Sequence, residues 1–355
     1  MGSSMSTVAL SGIAKSYANF AALNGVDLTI PEGEFLTLLG ASGSGKTTLL
    51  NVVAGMISPD RGIVSIGGRD VTHVPPRQRG LGMVFQSYAL VPHMSVFDNI
   101  AFPLRIRRTA SAEIKRRVEK ILDIVQLGHI AHRKPRELSG GQQQRVAIAR
   151  CLVYQPPVIL MDEPLGALDK KLREQLQQEI RRIHKEMGIT ILYVTHDQEE
   201  ALYLSDRICL MNAGQIEQLG TPQELYFKPA NAFVADFIGE SNLLACDIVA
   251  PDRVRLDASG QDIRIAQYAS GAANRLMIRP DKIAVLADGE SRANEVSGQI
   301  EEIAFVGETM RLTVRSGSQA FTVKAPTSHS ADRKLGSTAR IGWEPQDALL
   351  LEAKS

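Results

Sequence analysis

The chain has 355 residues, 44% hydrophobic and 22% charged, with a formal net charge of +1. That is an ordinary globular composition with room for one large domain and a smaller one. So small a net charge gives no global electrostatic case for a nucleic-acid partner, and none is expected. The longest apolar stretches, such as 189–194, are strand-length, whereas a membrane-spanning helix needs about 20 apolar residues. A membrane role must therefore come through partners.

Met1-Gly2-Ser3-Ser4, ahead of Met5, reads as an expression scar outside the fold. Glu34–Gly40 then reads as a buried strand ending in a glycine, and Thr47–Val53 as the start of a helix. Leu81–Phe85 is a further short strand, and Gln86 follows it. A polar, helix-rich stretch covers about 95–150, where Ile114, Val118, Ile121, Leu122 and Val125 mark one helix. Pro157–Asp162 is a continuous apolar run ending in an acid, the pattern of a central parallel strand. Over 171–187, Leu172, Leu176, Ile180, Ile183 and Met187 recur at helical spacing, with Lys, Arg, Glu and Gln on the outer face. Ile189–Thr195 and Arg207–Met211 are two more short strands. The pattern predicts α/β with an inserted helical subdomain.

Beyond about residue 240 the helical periods thin out. Short alternating runs replace them, among them Val254–Leu256, Ile263–Ile265, Met310–Arg315 and Phe321–Lys324, with turns at Ala258–Gly260 and Ser316–Ser318. Such runs predict a small β-barrel or sandwich. The expected division is 5–238 and 239–355. Cys151, Cys209 and Cys246 are widely spaced with no C-x-x-C pair, which predicts buried thiols in a reducing cytosol.

Residues 40–47, Gly40-Ala-Ser42-Gly43-Ser44-Gly45-Lys46-Thr47, fit G-x-x-x-x-G-K-[ST] between a strand and a helix. Glycines let successive N–H groups turn inward, and with the helix N-terminus they cradle phosphate oxygens. In this reading Lys46 reaches the β- and γ-phosphates and the Thr47 hydroxyl ligates Mg²⁺, with Thr48 next along the helix. The alternative is a glycine-rich turn with a surface lysine. Asp162 stands at a strand end where it can hold Mg²⁺, and Glu163 is placed to polarise an attacking water as general base. His196 follows an apolar strand and can contact the γ-phosphate or the water, or simply cap the strand. Gln86 can contact Mg²⁺ or the water; alone, neither residue decides between a functional and a structural role.

Leu138-Ser139-Gly140-Gly141-Gln142 opens a helix and forms a second helix-N-terminal anion site. One ATP on one phosphate loop needs only one such site, whereas two chains facing each other need both. With these motifs in order, the chain resembles the ATP-binding-cassette ATPases over about 7–238. The resemblance implies a P-loop NTPase with a RecA-like core, bound ATP and Mg²⁺, a D-loop at Gly166-Ala-Leu-Asp169, and a switch histidine at His196. It implies that Tyr17 stacks on adenine. It further implies a head-to-tail homodimer in which Ser139, Gly140, Gly141 and Gln142 of one subunit complete the other's ATP site.

Leu276-Met-Ile-Arg279-Pro280-Asp281 and Ile341-Gly-Trp343-Glu-Pro-Gln-Asp347 resemble strings of the β accessory domain of importer ATPases. A DNA-maintenance ATPase of the same superfamily would place long coiled coils between phosphate loop and signature, and no sustained heptads occur there. Glu34–Gly40, Val84–Leu90 and Ile238–Asn242 are most similar to the ATPases of polyamine importers for spermidine or putrescine; iron(III), phosphonate, sulfate and sugar importers share much of this wording. The resemblance implies two transmembrane permeases, an external substrate-binding protein, and a peripheral place on the cytoplasmic face of the membrane. The segment 87–93 after Gln86 is the expected permease groove.

Overall fold

Phe35–Leu39 is buried at every position, and Thr190–Val194 likewise. Strands covered on both faces need such continuous runs, because neither face meets water. The computed structural model describes residues 6–18, 20–166, 168–266, 274–327 and 334–353, in two compact units, Met1–Gln223 and Glu224–Ser355.

The first unit begins with β1 (Ser6–Tyr17), β2 (Phe20–Pro31), β3 (Phe35–Leu39), α1 (Lys46–Ala54), β4 (Arg61–Ile66), β5 (Arg69–Asp70) and β6 (Gly82–Val84). The helical stretch follows as α2 (Val96–Ile106), α3 (Ser111–Ile124) and α4 (Gly140–Leu152). Then come β7 (Val158–Asp162), α5 (Lys170–Met187), β8 (Thr190–Val194), α6 (Gln198–Leu204), β9 (Arg207–Asn212) and β10 (Gln215–Gly220).

Six strands form one sheet in the order β10-β9-β3-β8-β7-β6, parallel except at the β10 edge. Register aligns their carboxyl ends: Leu38 and Asp162 both pair with Val194, and Val84 pairs with Met161. The loops that leave these ends share one edge, where α/β sheets bind ligands. One face of the sheet packs on α1 and the antiparallel sheet β2-β1-β4-β5, with Leu28, Leu49, Val53, Val64 and Leu192 in one core. The other face carries the helical stretch, with Ile100, Val118, Ile148, Ile159 and Ile180 together. On α5 not every polar side chain lies on the outer face. Gln177, Glu179 and His184 are buried as well, and His184 Nε2 lies 2.9 Å from the Gly33 carbonyl.

The second unit follows α7 (Pro222–Phe227) and α8 (Ala232–Phe237) with β11 (Asn242–Ala250), β12 (Arg253–Leu256), β13 (Asp262–Arg264) and β14 (Arg275–Ile278). It continues with β15 (Ala284–Leu286), β16 (Asn294–Val306), β17 (Thr309–Ser316), β18 (Gln319–Pro326), β19 (Thr338–Trp343) and β20 (Ala348–Leu351). Two five-stranded antiparallel sheets, β13-β12-β11-β14-β20 and β15-β19-β16-β17-β18, close over one core containing Leu256, Ile278, Leu312, Phe321 and Trp343. Of the two forms expected, this is the sandwich.

The chain divides between Gln223 and Glu224, ahead of the expected 238/239 division. The physical reason is Arg279, only 4% exposed. Its guanidinium donates to the carbonyls of Tyr226, Ala235 and Glu240 at 2.8, 3.0 and 3.2 Å and to Ser241 Oγ at 2.7 Å. It also stacks on the Tyr226 ring at 4.1 Å. These bonds tie α7 at Tyr226, α8 at Ala235 and the turn at Glu240–Ser241 to the sandwich. All three cysteines are buried and unpaired, and burial pushes the Cys209 thiol up to about 12. No helix among the described residues is long and apolar enough to cross a membrane.

Candidate functional site

The loop after β3 turns on glycines for two separate reasons. At Gly40 a Cβ would lie 2.3 Å from the Met211 carbonyl oxygen, and at Gly45 2.5 Å from that of Ala22, so both are positions of close backbone approach. Gly43 has φ 80°, yet a Cβ there would meet nothing within 4 Å, so its neighbourhood is open. Gly45 also caps α1 without any side-chain hydrogen bond, which leaves first-turn amides to donate to an anion. Ser42 is exposed, Ser44 buried and Thr48 half-buried in α1.

Lys46 is buried, and its Nζ donates to the carbonyls of Gly40 and Ala41 at 2.7 and 2.8 Å, with Ser44 Oγ at 3.4 Å. Burial lowers its pKa, and the charges of Glu163 and Asp162 partly restore it. Thr47 Oγ1 lies 3.5 Å from Asp162 Oδ1. Burial raises the Asp162 pKa, the neighbouring Glu163 raises it further, and Thr47 and Lys46 oppose both. A glycine cradle, a buried ammonium held only by neutral oxygens, and a hydroxyl–carboxylate pair fit a Mg²⁺-nucleotide. Mg²⁺ takes hard oxygen ligands and usually one or two carboxylates alongside phosphates.

Glu163 leaves β7 with a left-handed backbone, φ 43°. Its N–H donates to the Val194 carbonyl at 3.0 Å, which pins the turn against the end of β8. From there Glu163 Oε1 lies 3.2 Å from His196 Nδ1, and the imidazole is 60% exposed. Gln86 is exposed and lies two residues past β6. Its Nε2 is 3.9 Å from where a Cβ on Gly166 would stand, so it reaches the turn that begins at Glu163. Tyr17 is 45% exposed at the end of β1, with the Lys15 ammonium 5.8 Å from its ring centre. It belongs to the same β1–β2 hairpin whose Ala22 carbonyl abuts Gly45.

Ser139 caps α4 in a reciprocal box. Its Oγ accepts from Gln142 N at 3.3 Å, and Gln142 Oε1 accepts from Ser139 N at 3.0 Å. A Cβ on Gly141 would lie 2.7 Å from Leu172 Cδ1, and one on Gly140 3.2 Å from Leu168 Cδ2. The glycines thus let this turn pack closely on the first turn of α5, at Leu172, and on the loop before it, at Leu168. In that loop Asp169 caps α5 by accepting from Leu172 N at 3.0 Å; Ala167 lies outside the described residues.

Sequence reasoning missed the cluster behind His196. Glu200, 2% exposed, accepts from Tyr193 Oη at 2.8 Å and Thr195 Oγ1 at 2.9 Å. Asp197 Oδ1 accepts from the amides of Glu199 and Glu200, while Oδ2 takes the Arg173 guanidinium at 3.0 Å. The available signal was Asp197-Gln-Glu-Glu200, the D-x-x-E spacing of a helix start.

Residues 23–166 match the family model described as ABC transporter, and residues 276–351 that described as TOBE domain. The spermidine/putrescine import ATP-binding protein PotA of Thermobifida fusca is 45% identical over 97% of this chain and 93% of its own length. Its namesake in Nitrosomonas eutropha is 44% identical over 97% and 98%. Among solved structures, the dimeric post-hydrolysis state of the ATP-binding cassette MJ0796 bound to ADP and Pi is 36% identical. It covers 61% of this chain and 98% of that one at a TM-score of 0.54. CbiO1 of Clostridium perfringens, part of an ABC transporter complex, is 28% identical over 63% and 91%, with a TM-score of 0.59. Likeness to import ATP-binding proteins across almost the whole of both chains, over a phosphate loop built as described, means that this chain is an ATPase of the ABC transporter family.

Proposed function

We propose that this chain powers a polyamine importer by binding and hydrolysing ATP. The observation that carries the substrate is likeness to spermidine/putrescine import proteins over nearly full length, second unit included. Bound ATP and Mg²⁺ supply the phosphoryl group and the charge that offsets it. The chain's own residues do the rest. Lys46 and the amides of 40–48 hold phosphate oxygens, with the motif side chains Ser42, Ser44 and Thr48 beside them. Thr47, Asp162 and Gln86 hold the cation, and Tyr17 stacks on the base. Glu163 takes the proton from the attacking water, and His196, 3.2 Å away, keeps that carboxylate turned toward it. Two copies face each other, so that Ser139, Gly140, Gly141, Gln142 and Asp169 of one meet the nucleotide held by the other. Two permeases seat on the cassettes at the cytoplasmic face of the membrane, and an external binding protein delivers the polyamine.

The test is reconstitution with the permeases and binding protein encoded beside this chain. Spermidine or putrescine should stimulate ATP turnover and labelled uptake. Glu163→Gln should keep ATP binding and lose roughly 10²–10⁴-fold in hydrolysis. Stimulation by ferric iron or a phosphonate, with none by polyamines, would overturn the substrate and leave the ATPase. A Glu163→Gln chain turning over at the wild-type rate would remove Glu163 as base.

A further inference from the structure

Glu163 and His196 sit on two different loops, and their own contact at 3.2 Å is solvent-facing on the histidine side. A second connection joins the same two loops from behind. Arg173, in the first turn of α5, donates from Nη2 to the Leu168 carbonyl at 3.1 Å and from Nη1 to Asp197 Oδ2 at 3.0 Å. Leu168 belongs to the loop that runs on from Glu163, and its N–H donates to the Leu165 carbonyl at 3.2 Å. Asp197 is the residue after His196. Its own N–H donates to Thr195 Oγ1 at 3.0 Å, and Thr195 precedes the histidine. Glu200 holds that threonine from below and puts Oε1 3.7 Å from Arg173 Nε, too long for a hydrogen bond but close enough for charge attraction. The two loops and the guanidinium therefore form a closed ring, with Glu163–His196 on one side and Leu168–Arg173–Asp197 on the other.

We infer that Arg173 is a positioning residue for hydrolysis, fixing His196 relative to Glu163 by bridging the Leu168 carbonyl and Asp197. Only a planar fork spans two acceptors in this way; a single ammonium on a flexible stem does not. Misplacing a catalytic group by a fraction of its hydrogen-bond length costs turnover, while phosphate binding rests on the separate loop 40–48. The inference rests on the assigned roles of Glu163 and His196.

The test uses Arg173→Lys, which keeps the charge and the stem, and Asp197→Asn, which keeps an acceptor for capping α6 while removing the carboxylate. Each should lower kcat about 10- to 100-fold and change KM for ATP less than about twofold. In the nucleotide-free protein, hydrogen exchange of peptides covering 164–169 and 195–200 should speed up while the phosphate-loop helix stays protected. Wild-type kcat in either variant, a KM rise that accounts for the loss, or faster exchange across the whole unit would overturn the inference. A wild-type chain that itself fails to hydrolyse ATP would sink the ATPase reading instead, and the exchange measurement would still decide whether Arg173 holds the two loops together.

Discussion

Single residues in the phosphate loop do different jobs under one motif. Gly40 and Gly45 exist for close approach to backbone carbonyls of other strands, whereas Gly43 faces open space. Gly43→Ala therefore carries mainly the cost of a left-handed alanine, about 1–2 kcal/mol. Gly45→Ala adds a backbone clash, with its Cβ 2.5 Å from the Ala22 oxygen and φ 102°; neither the hairpin nor α1 can yield cheaply. Thermal melting should show Gly45→Ala destabilised well beyond Gly43→Ala, and equal shifts would mean that the hairpin does not brace the loop. The sequence motif fixes Gly40 and Gly45 and leaves Gly43 at one of its open positions. Which of them touches what is a tertiary fact, since Ala22 and Met211 are remote in sequence.

At the scale of elements, periodicity identified the central strands and α5 because each buries a simple apolar run or stripe. The site edge was legible for the same reason: parallel strands ending in Leu39, Asp162 and Val194 must deliver their loops to one side. The division between units was not. The carbonyls of Tyr226, Ala235 and Glu240 are claimed by a guanidinium far along the chain, and no local pattern announces a long-range backbone bond. The string Leu276–Asp281 carries a family likeness, and its physical content is this clamp. Arg279→Lys should not replace it, because one ammonium cannot reach carbonyls on both sides. Leaving several buried carbonyls unpaired costs about 1–3 kcal/mol each. Hydrogen exchange over 224–241 should rise sharply in that variant while the first unit keeps its protection; unchanged exchange there would deny the clamp.

At the scale of the whole molecule, the signature turn bears on whether the working unit is one chain or two. In the isolated chain Ser139 already has an occupation, since its hydroxyl and Gln142 cap α4 reciprocally. Replacing Ser139 with a bulky residue would therefore confound a lost cap, worth about 1 kcal/mol, with a lost phosphate contact. Ser139→Asp separates them. Aspartate caps a helix as well as serine does, so α4 and the melting temperature should hold. Its carboxylate, however, would stand where the facing model puts a phosphate, and like charges there oppose closure. In a Glu163→Gln background, where hydrolysis cannot reopen the pair, ATP should produce a stable dimer on size exclusion. Adding Ser139→Asp should abolish that dimer while nucleotide titration still finds ATP bound to each chain with little change in affinity. A dimer that survives the charge would rule out the facing arrangement. A collapse of affinity in the single chain would mean that the signature serves the phosphate loop of its own chain.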